Sequence, residues 1–483
     1  MKKIFILIGT LLLVSSTSII HALNIKQTSE SNFKTKIMFA ETLFVDNEGD
    51  GDYDSIQAAI NAASSGDIIK VYSGKYNEKI NVHVESIVLE GVNLELGNGT
   101  DRGMPEIIGD GEGSVVGIAA DNIEFRGFTI YGSGGCIFDA GMNISSDYNT
   151  IINNIFTRNH HGIFMIDCNY NNILSNTIFQ NYWDGIHMLD FCHDNVIRGN
   201  NINSNNVDGV KLFLNDNSDN TIIYNEITSN RWNGVHIIYS VGNEILKNNI
   251  SSNFWDGIHC GNARDNVFRL NQIISNFLNG LLFFDGCSGN QIYHNNIVNN
   301  ICFDEGDNIW DNGYPNGGNF WADYTGNDTD GDGFGDIPYE VPGGENKDSY
   351  PFIDPILAPL KPTRPIGKVR GRVGEEYSYS TLAIDPNGDA VQYGWDWDGD
   401  KVVDEWTDFY EFALHCTAYH TWSEEGAYII YVKAMDPYGL DSEWSEPLPV
   451  NMPRNRITSG LFYTLLEKFP VIQKLIDRII ITR

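Results

Sequence analysis

Six glycines, Gly162, Gly185, Gly209, Gly234, Gly257 and Gly280, lie 23, 24, 25, 23 and 23 residues apart. Each closes the same line of sequence. The line opens with Asn-x-Ile or a close variant and carries Asn five residues on, Ile at seven, Asn at ten and Gly at fourteen; the first, from Asn149 to Gly162, matches after losing one residue. From Asn220 these are Asn225, Ile227, Asn230 and Gly234; from Asn243 they are Asn248, Ile250, Asn253 and Gly257. A fixed period of this length means stacked units, a solenoid. Each unit holds three short apolar runs separated by Asn, Ser, Asp or Gly, none long enough for a packed helix pair. Apolar residues alternate after the glycine, as in Val235, Ile237 and Tyr239. The period therefore predicts an all-β fold, a right-handed parallel β-helix with three strands per coil and coils stacked at about 4.8 Å. Asn suits its corners, because it tolerates the left-handed turn conformation and its amide can bond from coil to coil.

The rest of the chain divides around this coil. Lys2 and Lys3 precede an apolar run, Ile4–Val14, too short to cross a bilayer. Residues 1–22 read as a signal peptide and the protein as exported, secreted or held at the cell surface. The β-helix is expected over 40–303, opened by a capping helix in DSIQAAINAA (Asp54–Ala63) that covers the unpaired first edge. Residues 304–356 are an acidic cap, with 13 acids against one base, Lys347. A proline-rich linker, 357–365, leads to alternating segments at Glu376–Ser380, Val391–Trp397 and Tyr428–Ala434, a β-sandwich over 366–452. The tail, 453–483, is basic and amphipathic. It fits a membrane surface and equally a helix packed on the sandwich.

Charge narrows the partners. With 64 acids and 31 bases the net charge is −33. Such a surface repels phosphate backbones, which argues against nucleic acid, and repels polyanionic glycans unless cations bridge them. Seven cysteines form no disulfide scaffold. Cys168 and Cys192 occupy nearly equivalent places in successive repeats, where either a pair or buried free thiols would fit.

The opening LFVDNEGDGDYDSIQAAINAASSGDIIKVYSGKY resembles the start of pectin-lyase-like β-helix proteins. The Asn-rich repeats resemble the NosD-type periplasmic copper-binding family and related carbohydrate-binding and sugar-hydrolase repeats, over roughly residues 42–356. The stretches AIDPNGDAVQYGWDWDGD, HTWSEEGAYIIYVKAMDPYG and SEWSEP resemble the PKD domain, an Ig-like sandwich that serves as a spacer or adhesive module. These resemblances imply the fold. For function they imply a range: carbohydrate binding, glycan hydrolysis, lysis or epimerisation, or copper handling.

Two patterns are candidates for chemistry. In DTDGDGFGD, Asp328, Asp330, Asp332 and Asp336 have the 1, 3, 5, 9 spacing of a calcium loop with Gly333 at the sharp turn, but Tyr339 stands where the twelfth-position Glu belongs. Asp396, Asp398, Asp400 and Asp404 repeat the spacing with Lys401 in place of the glycine. The second pattern flanks the periodic glycine. Trp183, Trp232 and Trp255 stand two before it, Asp184, Asp208 and Asp256 one before, and His187, Lys211, His236 and His259 two after. Alternation turns the imidazoles outward, so the expectation is an external band of indoles, carboxylates and imidazoles suited to an extended polysaccharide. Repetition of side chains that only cover a strand corner gives the same pattern. His236 and His259 could share copper or zinc, though two ligands are few. Adjacent-coil carboxylates also meet the spacing test for glycosidases, a test any repeated Asp would pass.

Overall fold

The computed structural model describes residues 40–97, 99–214 and 217–452. The signal segment 1–22 and the tail 453–483 lie outside the described residues. The coil is a parallel β-helix of three sheets with twelve, eleven and ten strands, here called sheets 1, 2 and 3. One coil runs through Asn172–Leu174 in sheet 1, Thr177–Phe179 in sheet 2 and Ile186–Leu189 in sheet 3. Register holds from coil to coil, as in Ile173, Ile197, Ile222, Ile245 and Phe268, which pair in succession. The inward residues of each coil, such as Ile173, Ile178, Ile186 and Met188, are fully buried. Each such side chain stabilises the stack by about 1.5–3 kcal/mol.

Asparagine columns run along the corners. The Oδ1 of Asn225 accepts from the backbone N–H of Asn200 at 2.9 Å and from its Nδ2 at 3.0 Å. Its own Nδ2 donates to Asn248 Oδ1 at 3.0 Å and to the Ile197 carbonyl at 2.8 Å. Every amide in such a column is satisfied by the coils on either side. Two columns end on buried carboxylates: Asn308 donates to Asp304 at 2.8 Å, and the Asn319 N–H to Asp348 at 2.6 Å. The left-handed residues are not these asparagines but the residues before them, Tyr170, Ser175 and Gln180 in one coil, at φ 58°, 52° and 52°. The preceding residue makes the bend, and the asparagine amide is then free to lie along the column.

The periodic glycine is steric. A Cβ on Gly234 would stand 2.6 Å from the Gly257 carbonyl oxygen and 2.6 Å from Ile250 Cγ2. A short helix, Ile56–Ala62, closes the first coil. Ser55 caps it, accepting from Ala58 N–H, and Ile56, Ala59 and Ile60 are buried beneath it. At the other end Trp310 and Trp321 continue the core of the coil. Trp310 donates its Nε1 proton to Asp304, and Trp321 to Asp348.

The C-terminal unit has antiparallel sheets of three and four strands around Tyr379, Tyr393, Trp395 and Ile430. It is joined to the β-helix at Asp441, which accepts from Lys247 at 2.9 Å and also from Tyr224, and which holds Lys433 on its own side. All seven cysteines are free thiols, with the Cys168 and Cys192 sulfurs 3.8 Å apart inside the coil.

Candidate functional site

The glycine-flanking pattern lies at the corner between sheets 2 and 3 and on the outer face of sheet 3. His187, Lys211, His236 and His259 pair in register there. The expected external carboxylates are not external. Asp184, Asp208 and Asp256 are 0–1% exposed. Each replaces a column amide. Asp184 Oδ1 accepts from the Asp208 N–H at 3.0 Å, Asp208 Oδ1 from the Asn233 N–H at 3.0 Å, and Asp256 Oδ1 from the Asn279 N–H at 3.0 Å. The second oxygen of each serves an imidazole. His187 Nδ1 lies 2.8 Å from Asp184 Oδ2, His236 Nδ1 2.8 Å from Asp208 Oδ2, and His259 Nδ1 2.7 Å from Asp256 Oδ2. A carboxylate only accepts, so each neutral ring donates from Nδ1 and keeps a bare Nε2. Lys211 Nζ stands 3.8 Å from Asp208.

The electrostatics of the column differ along its length. Burial raises Asp184 above the ordinary carboxylate range, opposed in part by the His187 hydrogen bond. Asp208 is as deeply buried, but the hydrogen bond from His236 and the charge on Lys211 outweigh burial and hold it below that range.

The indoles are half-exposed, at 41%, 38% and 41% for Trp183, Trp232 and Trp255. Their flat faces are largely engaged. Trp232 and Trp255 stack with centroids 4.6 Å apart and planes 2° from parallel, and Trp183 stacks on His160 at 5.4 Å. Backbone bonds align Trp183, Val207, Trp232, Trp255 and Leu278 in one column. Tyr182, Phe254 and Phe277, each one residue before a member of this column, are more exposed still. The strip spans five coils, about 20 Å.

Sequence reasoning missed His161. It is buried, with Nδ1 3.5 Å from Asp184 Oδ2 and Nε2 3.1 Å from the Ile137 carbonyl. Burial holds its pKa down to about 2. His161, Asp184 and His187 offer one ligand atom each within 4.8 Å of one another. Reading the Asn149 line in register would have found it, because His160-His161 precede Gly162 as Trp183-Asp184 precede Gly185.

Of the calcium-loop residues, Asp328, Asp330 and Asp332 converge. Asp336 is turned away, accepting from the Thr329 N–H at 3.1 Å and hydroxyl at 2.8 Å. In the sandwich Asp396, Asp398 and Asp404 converge without Asp400.

Stacked parallel coils with a buried acid–imidazole column, followed by two antiparallel sheets, define a parallel β-helix protein with a C-terminal β-sandwich. The chain belongs to the NosD family, described as periplasmic copper-binding proteins, whose model matches residues 60–254 and 212–326. The C-terminal part is similar to the PKD domain of an M14-like peptidase from a Thermoplasmatales archaeon, 34% identical over 20% of this chain and 97% of that one, with a TM-score of 0.19. The coil is similar to pectate lyase Pel9A, 16% identical over 58% of this chain and 82% of that one, TM-score 0.41. It is also similar to the A-module of an Azotobacter vinelandii mannuronan C-5 epimerase, 16% identical over 53% and 90%, TM-score 0.37. No curated protein matches the sequence.

Proposed function

We propose that this is an exported, extracytoplasmic binding protein that holds a neutral polysaccharide along the Trp183–Leu278 strip, with the PKD-type domain as its spacer. One observation carries the reading: the half-exposed indoles Trp183, Trp232 and Trp255, interrupted at the buried Val207 and continued by the exposed Leu278, run along five coils beside imidazoles whose orientation is fixed from beneath. Exposed apolar rows of this length are uncommon on a protein surface without a partner. The sugar rings lie against Tyr182, Phe254 and Phe277, because the indole faces are turned to one another. Hydroxyls are met by the bare Nε2 atoms of His236 and His259 and by Lys211. The net charge of −33 favours a neutral chain over a uronate. Binding rather than hydrolysis fits the burial of Asp184, Asp208 and Asp256, whose oxygens are committed to backbone and imidazole.

The test is a glycan array probed with the full chain, repeated with Phe254→Ser/Phe277→Ser. Retention of neutral extended glycans by the native protein, lost at least tenfold in the variant at unchanged melting temperature, supports the reading. Retention only of uronates, or equal retention by the variant, overturns it.

A further inference from the structure

Beside the aromatic strip, and independent of it, lies a buried set of electron-pair donors with too few protons. The Ile137 carbonyl can only accept, so the contact to His161 Nε2 at 3.1 Å puts the ring proton there and leaves Nδ1 bare. That nitrogen is buried and has no hydrogen-bond donor facing it. Its nearest polar neighbour is Asp184 Oδ2 at 3.5 Å, itself an acceptor already engaged by His187 Nδ1 at 2.8 Å. Asp184 Oδ1 is taken by the Asp208 backbone. His187 Nε2 is a second buried nitrogen without a partner, and His160 Nε2, on the ring packed against His161, is a third. A buried lone pair left unmet is costly, and native proteins seldom leave one.

We propose that His161, Asp184 and His187 bind a single copper ion. Imidazole with a carboxylate suits a borderline divalent ion, and Cu2+ stands highest in the affinity order for such donors. The surroundings are those of a metal-binding histidine: the far nitrogen of His161 is tied to a backbone carbonyl, which fixes ring and tautomer. Asp184 supplies the counter-charge in a site otherwise lined by rings, with Phe164 packed against both His161 and His187. These donors fit the ion named in the family description, and they are not the His236–His259 pair that the repeat pattern suggests.

Equilibrium dialysis of the full chain against Cu2+, Zn2+ and Ca2+, with metal counted by mass spectrometry, is the test. The expected result is one tightly held Cu2+ per chain, weaker Zn2+ at the same place and no Ca2+ in competition. The copper spectrum should show splitting from nitrogen ligands in electron paramagnetic resonance. His187→Gln should lose the bound copper at least a hundredfold in affinity, and so should His161→Gln. If the deeply buried His161 variant fails to fold, the better-exposed His187 variant decides alone. His236→Gln/His259→Gln should keep the ion. No stoichiometric copper in the native chain, or copper that survives His187→Gln and leaves with His236→Gln/His259→Gln, overturns the proposal. A water or a proton in this place gives the first of those results.

Discussion

His236 takes its orienting carboxylate from the coil before its own: its Nδ1 lies 2.8 Å from Asp208 Oδ2. The cause is Asn233, which occupies the column place in the coil of His236 and offers no charge. Asp208 therefore serves two coils, holding Lys211 beside it and His236 beyond.

Asp208→Ala should be far worse than Asp208→Asn. The alanine leaves the Asn233 N–H, Lys211 and His236 without their acceptor, a loss of about 3–5 kcal/mol for breaking a buried charged network from one side. Asparagine keeps an acceptor for the column and should cost about 1–3 kcal/mol. Denaturant titration gives both values. Nitrogen NMR should show the His236 proton fixed on Nδ1 in the native chain and exchanging between both nitrogens in either variant.

Two carboxyls set a pH dependence. Burial pushes Asp348 and Asp436 up to about 7. Asp436 gives Oδ1 to the Gly439 and Leu440 N–H groups, while its Oδ2 is buried without a partner. A raised carboxyl pKa means the folded state holds a proton that the unfolded chain has lost. Stability should therefore fall as pH rises from about 4 to about 7 and stay low above it. Melting temperatures at pH 4.5, 6 and 8 measure the slope. Asp436→Asn keeps the Oδ1 contacts, removes the charge and should flatten the curve for the sandwich, raising its melting temperature at pH 8.

Calcium should stiffen the acidic cap. Asp328 already gathers the N–H groups of Gly331, Asp332 and Gly333, and mutual repulsion with Asp332 raises Asp330. Bound cation would relieve that repulsion. At a hundredfold excess over Kd the stabilisation is about 2.7 kcal/mol. A melting curve identical in millimolar calcium and in chelator would refute it.

Asn225→Asp should be more damaging than Asn225→Ala. Asparagine donates to Asn248 Oδ1 and the Ile197 carbonyl. Aspartate would turn both into facing acceptors and bury a charge, whereas alanine only removes the bonds and leaves orphaned partners, at about 1–3 kcal/mol for each group stranded. Yield of folded protein and thermal melting should both rank native above alanine above aspartate.

The coil was legible because every turn repeats one steric demand. Gly234 has no room for a Cβ, so the residue recurs wherever the corner recurs. The depth of Asp184, Asp208 and Asp256 was not legible from alternation, which describes strands and not the corner that precedes them. A hint existed in Asn233 and Asn279, since an amide that can replace a carboxylate at the same place points to shared hydrogen bonding. His161 was legible in register with Asp184, but its tautomer was not, because the carbonyl that fixes it, Ile137, comes from another coil. Stacking of Trp232 on Trp255 depends on side-chain rotation, which spacing does not report.

A column asparagine such as Asn225 gives its backbone N–H and one Nδ2 proton toward the C-terminal coil and the other Nδ2 proton back to a carbonyl of the coil before, and two columns finish on Asp304 and Asp348. Both carboxyls are buried within residues 304–356, and they also accept from Trp310 and Trp321, so the last asparagines of these columns find their acceptors inside the chain. Two side chains thus complete the hydrogen bonding of the coil within one molecule, at an end that a stack of such units would otherwise leave open.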